Sequence, residues 1–239
     1  MTPRRGRLVG NRIALLGTAL YFCEWIAIAI IPSVPSDKLG VDPAAIVAGY
    51  THPQRIAFAA GWFSFFLLGR VVFCAALRNA FHGMRRELLF ADISLVAMAA
   101  SVVLEVGSFA LVAAAGRLVE AHGTADAVVA LDSAGSVGFE MVWGAIAMSV
   151  LAGSLAMLLS GLFPRWLSWL GVVAGGLLAV GSVFGAAGLG SSGTIHDVGS
   201  ALTGFPVAGM WIWMIATSVI LFRATPRREN AQTIATTSS

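Results

Sequence analysis

Four ionisable residues sit inside runs of apolar sequence: Glu24, Arg70, Glu105 and Glu140. Carboxylates and a guanidinium in an oily setting can do two kinds of work. They lock helices in register as ion pairs, or they take up and release a proton or a small cation. Glu105 shows the cost most clearly. It lies near the middle of Leu88 to Gly116, an almost wholly apolar stretch, and about 20 apolar residues cross the hydrocarbon core of a bilayer. A carboxylate at that depth costs about 3 kcal/mol on insertion scales, so Glu105 is expected to face other helices rather than lipid. Three carboxylates and one guanidinium, all ionised, would leave two uncompensated negative charges. A low-dielectric site does not hold that excess without water, protons or a bound cation. The sharper expectation is therefore that at least one glutamate takes a proton or cationic solute from the outer side. The plainer one is that Arg70 pairs with one glutamate and the set only fixes helix register.

Helical geometry says which neighbours share the faces of these residues. At 100° per residue, Ser94, Ser101 and Ser108 fall within about 60° of Glu105. Ser133, Ser136, Gly144, Ala147 and Ser154 fall within about 40° of Glu140, a small, polar stripe suited to helix contact or a narrow wet cavity. Gly17 lies within about 20° of Glu24, with Tyr21 about 60° away. Arg70 shares its face with Ala59, Phe63, Phe66 and Cys74. A rise of about 1.5 Å per residue places Glu24 and Glu140 each about 12 Å below the outer ends of their helices. Glu105 comes about 18 Å and Arg70 about 22 Å below theirs. The candidate site is thus Glu24, Arg70, Glu105 and Glu140, with Ser101, Ser108 and Ser136 beside them. Asp92, about 140° from Glu105, is expected to pair with Arg85 or Arg86 at the membrane surface.

Other chemistry has less behind it. His52, His122 and His196 all fall on the predicted outer side, and Asp197 follows His196. Three histidines and a carboxylate could hold a catalytic zinc, but their spacing is long and no HxxxH or HExxH pair exists, so solvated loop histidines are the expected reading. Cys23 and Cys74 lie in apolar runs, without the spacing of a disulfide framework or metal pair, and read as packing residues. No P-loop, GxSxG elbow or dinucleotide fingerprint is present, and nothing calls for a cofactor.

The elements that must position the charges are transmembrane helices. Of 239 residues, 58% are hydrophobic and 11% charged, against about 25% charged in soluble domains. The expected fold is all-α, a polytopic membrane protein built as a bundle of six transmembrane helices. Residues 1–12 form a basic cytoplasmic N-terminus, 13–222 the helical domain and 223–239 a disordered cytoplasmic tail. The six spans fall near Ile13–Ile31, Ile56–Leu77, Leu88–Gly116, Ser133–Ser160, Leu167–Ala187 and Phe205–Phe222. Ala27-Ile28-Ala29 resembles a cleavage site, but the first run exceeds the usual core of about 7–15 residues and Glu24 interrupts it, which favours an uncleaved helix. Pro32 to Arg55 reads as a loop with a short helix after Asp42-Pro43. Arg117 to Asp132 and Gly188 to Gly204 read as loops.

Eleven arginines fall in the N-terminus, the 78–87 turn, Arg165 and the tail, while the alternate loops hold only Lys38, Arg55 and Arg117. That asymmetry puts both termini in the cytoplasm and the chain in the plasma (inner) membrane. The net charge of +3 is modest and lacks aromatic–basic interleaving, so nucleic acid is not an expected partner. The expected partners are the lipid bilayer, a proton or small cationic solute, and a second copy of the chain docking through Gly171 and Gly175, a small-xxx-small pair.

Arg7-Leu8-Val9-Gly10 precedes the first helix, and the fourth helix is rich in small residues. Phe163-Pro164-Arg165-Trp166-Leu167-Ser168-Trp169-Leu170-Gly171-Val172-Val173-Ala174-Gly175 then opens the fifth. In these features, over residues 7–222, the chain resembles the bacterial domain-of-unknown-function family 4386, small polytopic membrane proteins. The resemblance implies the same six-helix layout and carries no catalytic motif. Three function classes stay open: proton- or cation-linked transport of a small solute, a non-catalytic membrane-organising protein, and an outward-facing metal-dependent hydrolase.

Overall fold

The computed structural model describes the backbone of residues 12–30, 43–188 and 194–224, and side chains over 12–25, 43–185 and 204–224. Residues 1–11, 31–42 with Asp37 and Lys38, 189–193 and 225–239 lie outside the described residues.

The described residues form eight helices and no strand: α1 (Ile13–Ile30), α2 (Pro43–Gly49), α3 (Pro53–Phe66), α4 (Leu68–Asn79), α5 (Arg85–Glu120), α6 (Ala125–Ser160), α7 (Arg165–Gly188) and α8 (Thr194–Arg223). Five stretches are long and apolar enough to cross a membrane: Pro53–Asn79, Arg85–Glu120, Ala125–Ser160, Arg165–Gly185 and Gly204–Arg223. The described apolar part of α1, Ile13–Trp25, is shorter.

Each long helix packs antiparallel on its chain neighbour. α8 then returns to α1, closing the bundle into a ring of rods. The pairings fix the directions. Thr18 meets Ser218, while Tyr21 meets Trp211 further along α1. Arg70 meets Glu105, while Arg78 meets Asp92. Helix ends therefore gather at two faces. One carries Arg12, Arg78, Arg85, Arg86, Arg165 and Arg223; the other carries Arg55 and Arg117. These are called the arginine-rich end and the sparse end below.

The turns follow local chemistry. α6 stops at Gly161, whose φ of 62° suits a residue without a Cβ. Pro164 follows, and its carbonyl accepts from the Leu167 amide at the start of α7. The expected loop from Arg117 to Asp132 shrinks to 121–124, because α5 and α6 continue through those polar residues. A polar helix end beyond the oil reads like a loop in composition. Likewise α8 begins at Thr194, inside the expected Gly188–Gly204 loop.

The second expected span is two helices joined at Leu67. The Leu67 amide still reaches Phe63 O (2.9 Å), but the Arg70 amide bonds Leu67 O (3.0 Å), three residues back, tightening the turn just before the arginine.

Polarity runs from inside to outside. Val96, Val103, Phe58, Val183 and Phe205 are exposed, while Glu24, Arg70, Glu105, Ser94, Ser101, Ser149 and Ser154 are buried. An apolar coat over a polar interior suits a lipid surround.

Candidate functional site

Helix α1 crosses α4 at two glycines. A Cβ on Gly17 would lie 2.6 Å from Phe73 N and 2.8 Å from Gly69 O, and one on Gly69 would run into the backbone of α1. Only paired glycines allow backbones this close. The crossing carries Tyr21 and Glu24, one and two turns further along α1, onto Arg70 of α4. Arg70 is 1% exposed, Glu105 5%, Glu24 4% and Tyr21 4%.

Within this cluster Arg70 Nη2 donates to Glu105 Oε2 as a buried ion pair. The Tyr21 ring lies against the guanidinium, 5.2 Å from its carbon to the centroid, a cation–π contact in a desolvated setting. Trp211 Nε1 donates to the Tyr21 hydroxyl (3.3 Å), and Trp62 Nε1 to Cys23 O (3.0 Å). Glu24 Oε2 and Arg70 Nε are buried without a hydrogen-bond partner among the described residues. Glu24 lies close enough to feel the charges of both Arg70 and Glu105. One guanidinium thus faces two carboxylates.

The remaining candidates are placed differently. Ser101, on the same stripe of α5 as Glu105, is fully buried and donates to Met98 O (2.7 Å). Ser108 donates to Leu104 O (2.8 Å) and packs against Gly138 of α6. Glu140 is not in the cluster. It is half-buried at the α6–α7 interface, where it lies against Gly185 of α7. Ser136 is half-buried one turn before it on α6. The small stripe around Glu140 serves helix contact: Gly144 meets Ser182, Ala147 O meets Gly175, and Ser154 meets Gly171. Angular arithmetic groups residues of one helix correctly but cannot say which neighbour that face meets. Without Glu140 the uncompensated charge falls from two to one.

Two further expectations are corrected. Asp92 pairs with Arg78, not with Arg85 or Arg86. Arg78 closes α4 and lies across the short turn from Asp92, whereas Arg85 is seven residues away on α5, about 10 Å along the same helix. Gly171 and Gly175, expected to receive a second copy of the chain, are buried. Gly171 faces Ser154 and Trp213, and Gly175 faces α6 at Leu151 and Ala147. The chain's own helices use that ridge.

A third buried carboxylate was not singled out from sequence. Asp132 of α6 is 3% exposed and accepts from the Tyr50 hydroxyl at 2.6 Å. Tyr50 follows α2 and belongs to a small core with Ile46, Ile56, Val112, Ala115 and Val128, apart from the main bundle core. Burial, then the neighbouring Asp132 carboxylate, pushes the Tyr50 hydroxyl well above its ordinary range. A signal existed in composition. The chain has fourteen phenylalanines and two tyrosines, and both phenols sit beside buried charge, where a polar handle has a use.

No family model, curated protein or solved structure matches this chain. The geometry therefore stands alone. His52 and His122 are exposed at the sparse end, the His196 side chain lies outside the described residues, and no group of three His, Cys, Asp or Glu among the described residues could hold a metal ion.

Proposed function

We propose that this chain is a six-span inner-membrane protein with both termini in the cytoplasm. In this reading Glu24 and the Arg70–Glu105 pair take up one proton or small cation, coupled to the movement of a small solute. The observation that carries this is the uneven charge: one buried guanidinium against two buried carboxylates, with an oxygen of Glu24 unpartnered among the described residues. A dry site of that composition is held together by gaining one positive charge. A purely structural ion pair would need only Arg70 and Glu105.

The topology rests on three supports. The described arginines divide six to two between the bundle ends, the sense of the positive-inside rule. Trp166 and Trp169 are exposed beside Arg165, as interfacial tryptophans are. Helix α1 has 18 residues, about 27 Å of helix, close to the hydrocarbon thickness. The resemblance to family 4386 from Phe163 to Gly175 belongs to the same proposal.

Electrometry on a solid-supported membrane tests the function. Proteoliposomes are challenged with a panel of small amines, amino acids, sugars and carboxylates. The expected result is a solute-induced current in the wild type that Glu24→Gln abolishes. No current for any solute, or an undiminished current in Glu24→Gln, overturns the transport reading.

A further inference from the structure

The seam that α3 and α4 together make with α5 changes character at Leu67. Toward the arginine-rich end it carries polar rungs. Arg70 holds Glu105. One turn on, Cys74 Sγ lies 3.7 Å from Ser149 Oγ and 3.9 Å from Ser94 Oγ. The two serines are 3.1 Å apart, and Ser149 Oγ also lies 2.7 Å from Ser94 O. One further turn brings Arg78 and Asp92, whose side chains are each 42% exposed. On α5, Ser101 sits one turn from Glu105 on the way to Ser94. Toward the sparse end the same seam is aromatic and aliphatic. Phe63 stacks on Phe109 with centroids 4.4 Å apart and planes at 12°, and Ala59, Val112 and Ala115 lie beyond.

We infer that the ion taken up is the proton, and that it reaches Glu24 and Glu105 from the arginine-rich end along this seam. The inference rests on the site reading above, adds its ion, and puts entry at the arginine-rich end in place of the outer side expected from the sequence.

A hydroxyl both donates and accepts, so it passes a proton on by taking one and releasing another, and ends unchanged. Each transfer breaks one O–H bond and forms the next, and the last forms on a Glu24 or Glu105 carboxylate oxygen. A metal cation has no such route, since it moves as a whole and needs several oxygen ligands around it. Here the Arg70 guanidinium already occupies the cluster. The long step is from Ser94 to Ser101, seven residues or about 10 Å of helix. Met98 fills it, its sulfur 3.5 Å from Ser101 Oγ. That flexible thioether is the side chain that must move for water to bridge the two serines. The titratable groups acting on Glu24 are Arg70 of α4, Glu105 of α5 and Tyr21 of its own helix.

Time-resolved infrared spectroscopy tests this on the full chain in nanodiscs, following the carboxylic acid band after a photoreleased proton jump. In Ser94→Ala/Ser149→Ala the band should rise more slowly by about tenfold or more, as when a relay group is lost, to an unchanged final amplitude. Cys74→Ser, which keeps a hydroxyl in the rung, should keep the wild-type rate. Phe109→Leu, on the apolar side, should keep it too. Replacing sodium by potassium or N-methylglucamine at fixed pH should leave the amplitude unchanged. A wild-type rate in the double serine variant overturns the route, and an amplitude set by sodium overturns the proton. A wild type with no carboxylic acid band fails at the earlier step and overturns the site reading itself.

Discussion

Glu105 and Asp132 are both buried carboxylates on long helices, 5% and 3% exposed, yet their partners differ in kind. Glu105 lies mid-bundle and takes a guanidinium from the neighbouring helix. Asp132 lies two turns from the sparse end and accepts a phenolic hydroxyl from the segment after α2. The deep position demands an opposite charge, because a lone carboxylate there would cost several kcal/mol. The position near the end takes a hydrogen bond from a phenol and closes a small apolar cap. The second difference is surplus: the deep site holds a further carboxylate, Glu24, that its single cation does not neutralise.

Removing the cation should break the deep site most severely. Arg70→Met leaves Glu24 and Glu105 facing each other, and should lower stability in detergent by about 3–5 kcal/mol. Arg70→Met/Glu105→Met should recover most of that loss, since a well-packed apolar pair is often as stable as the ion pair it replaces. Denaturant titration of the purified chain measures both.

At the cap, Tyr50→Phe removes one hydrogen bond to a buried carboxylate and should cost about 2 kcal/mol. Its pH dependence sharpens the contrast. An unfolded tyrosine loses its proton near pH 10, and the folded Tyr50 hydroxyl is held above that. Its contribution is therefore full below about pH 10 and is lost as pH rises toward the folded value. The stability gap between wild type and Tyr50→Phe should stay constant up to that pH and shrink above it.

The glycine crossing is a smaller lever. Gly69→Ala sets a methyl against the α1 backbone and should cost about 1–2 kcal/mol by overpacking. It should also weaken the contact of Tyr21 with Arg70, read as a change in tyrosine absorbance. Glu140→Gln should have the smallest effect at the deep site. Because Glu140 lies at the α6–α7 interface, its substitution should leave the infrared carboxylic acid band unchanged.

Much of this was readable from the sequence because apolar runs and interrupting charges are strong signals. The long helices, α2 at Pro43, and the meeting of Arg70 with Glu105 all follow from hydropathy and from counting residues inward from the helix ends. Rotation about each helix was readable only within that helix. Gly17 and Glu24 were known to share a face, but nothing said the facing glycine would be Gly69. Glu140 had a matching depth and the wrong neighbour for the same reason. Asp132 was hidden by its position. It closes a polar stretch that looks like a loop, and only the packed α2 segment shows that it is buried.

The central claim is that Glu24 and the Arg70–Glu105 pair share one exchangeable positive charge. Infrared difference spectroscopy across a pH titration, on wild type, Glu24→Gln and Glu105→Gln, tests it most directly. The account predicts a carboxylic acid band that grows as pH falls and is removed or displaced by either substitution. A spectrum with no such band, or one that survives both substitutions, would contradict it.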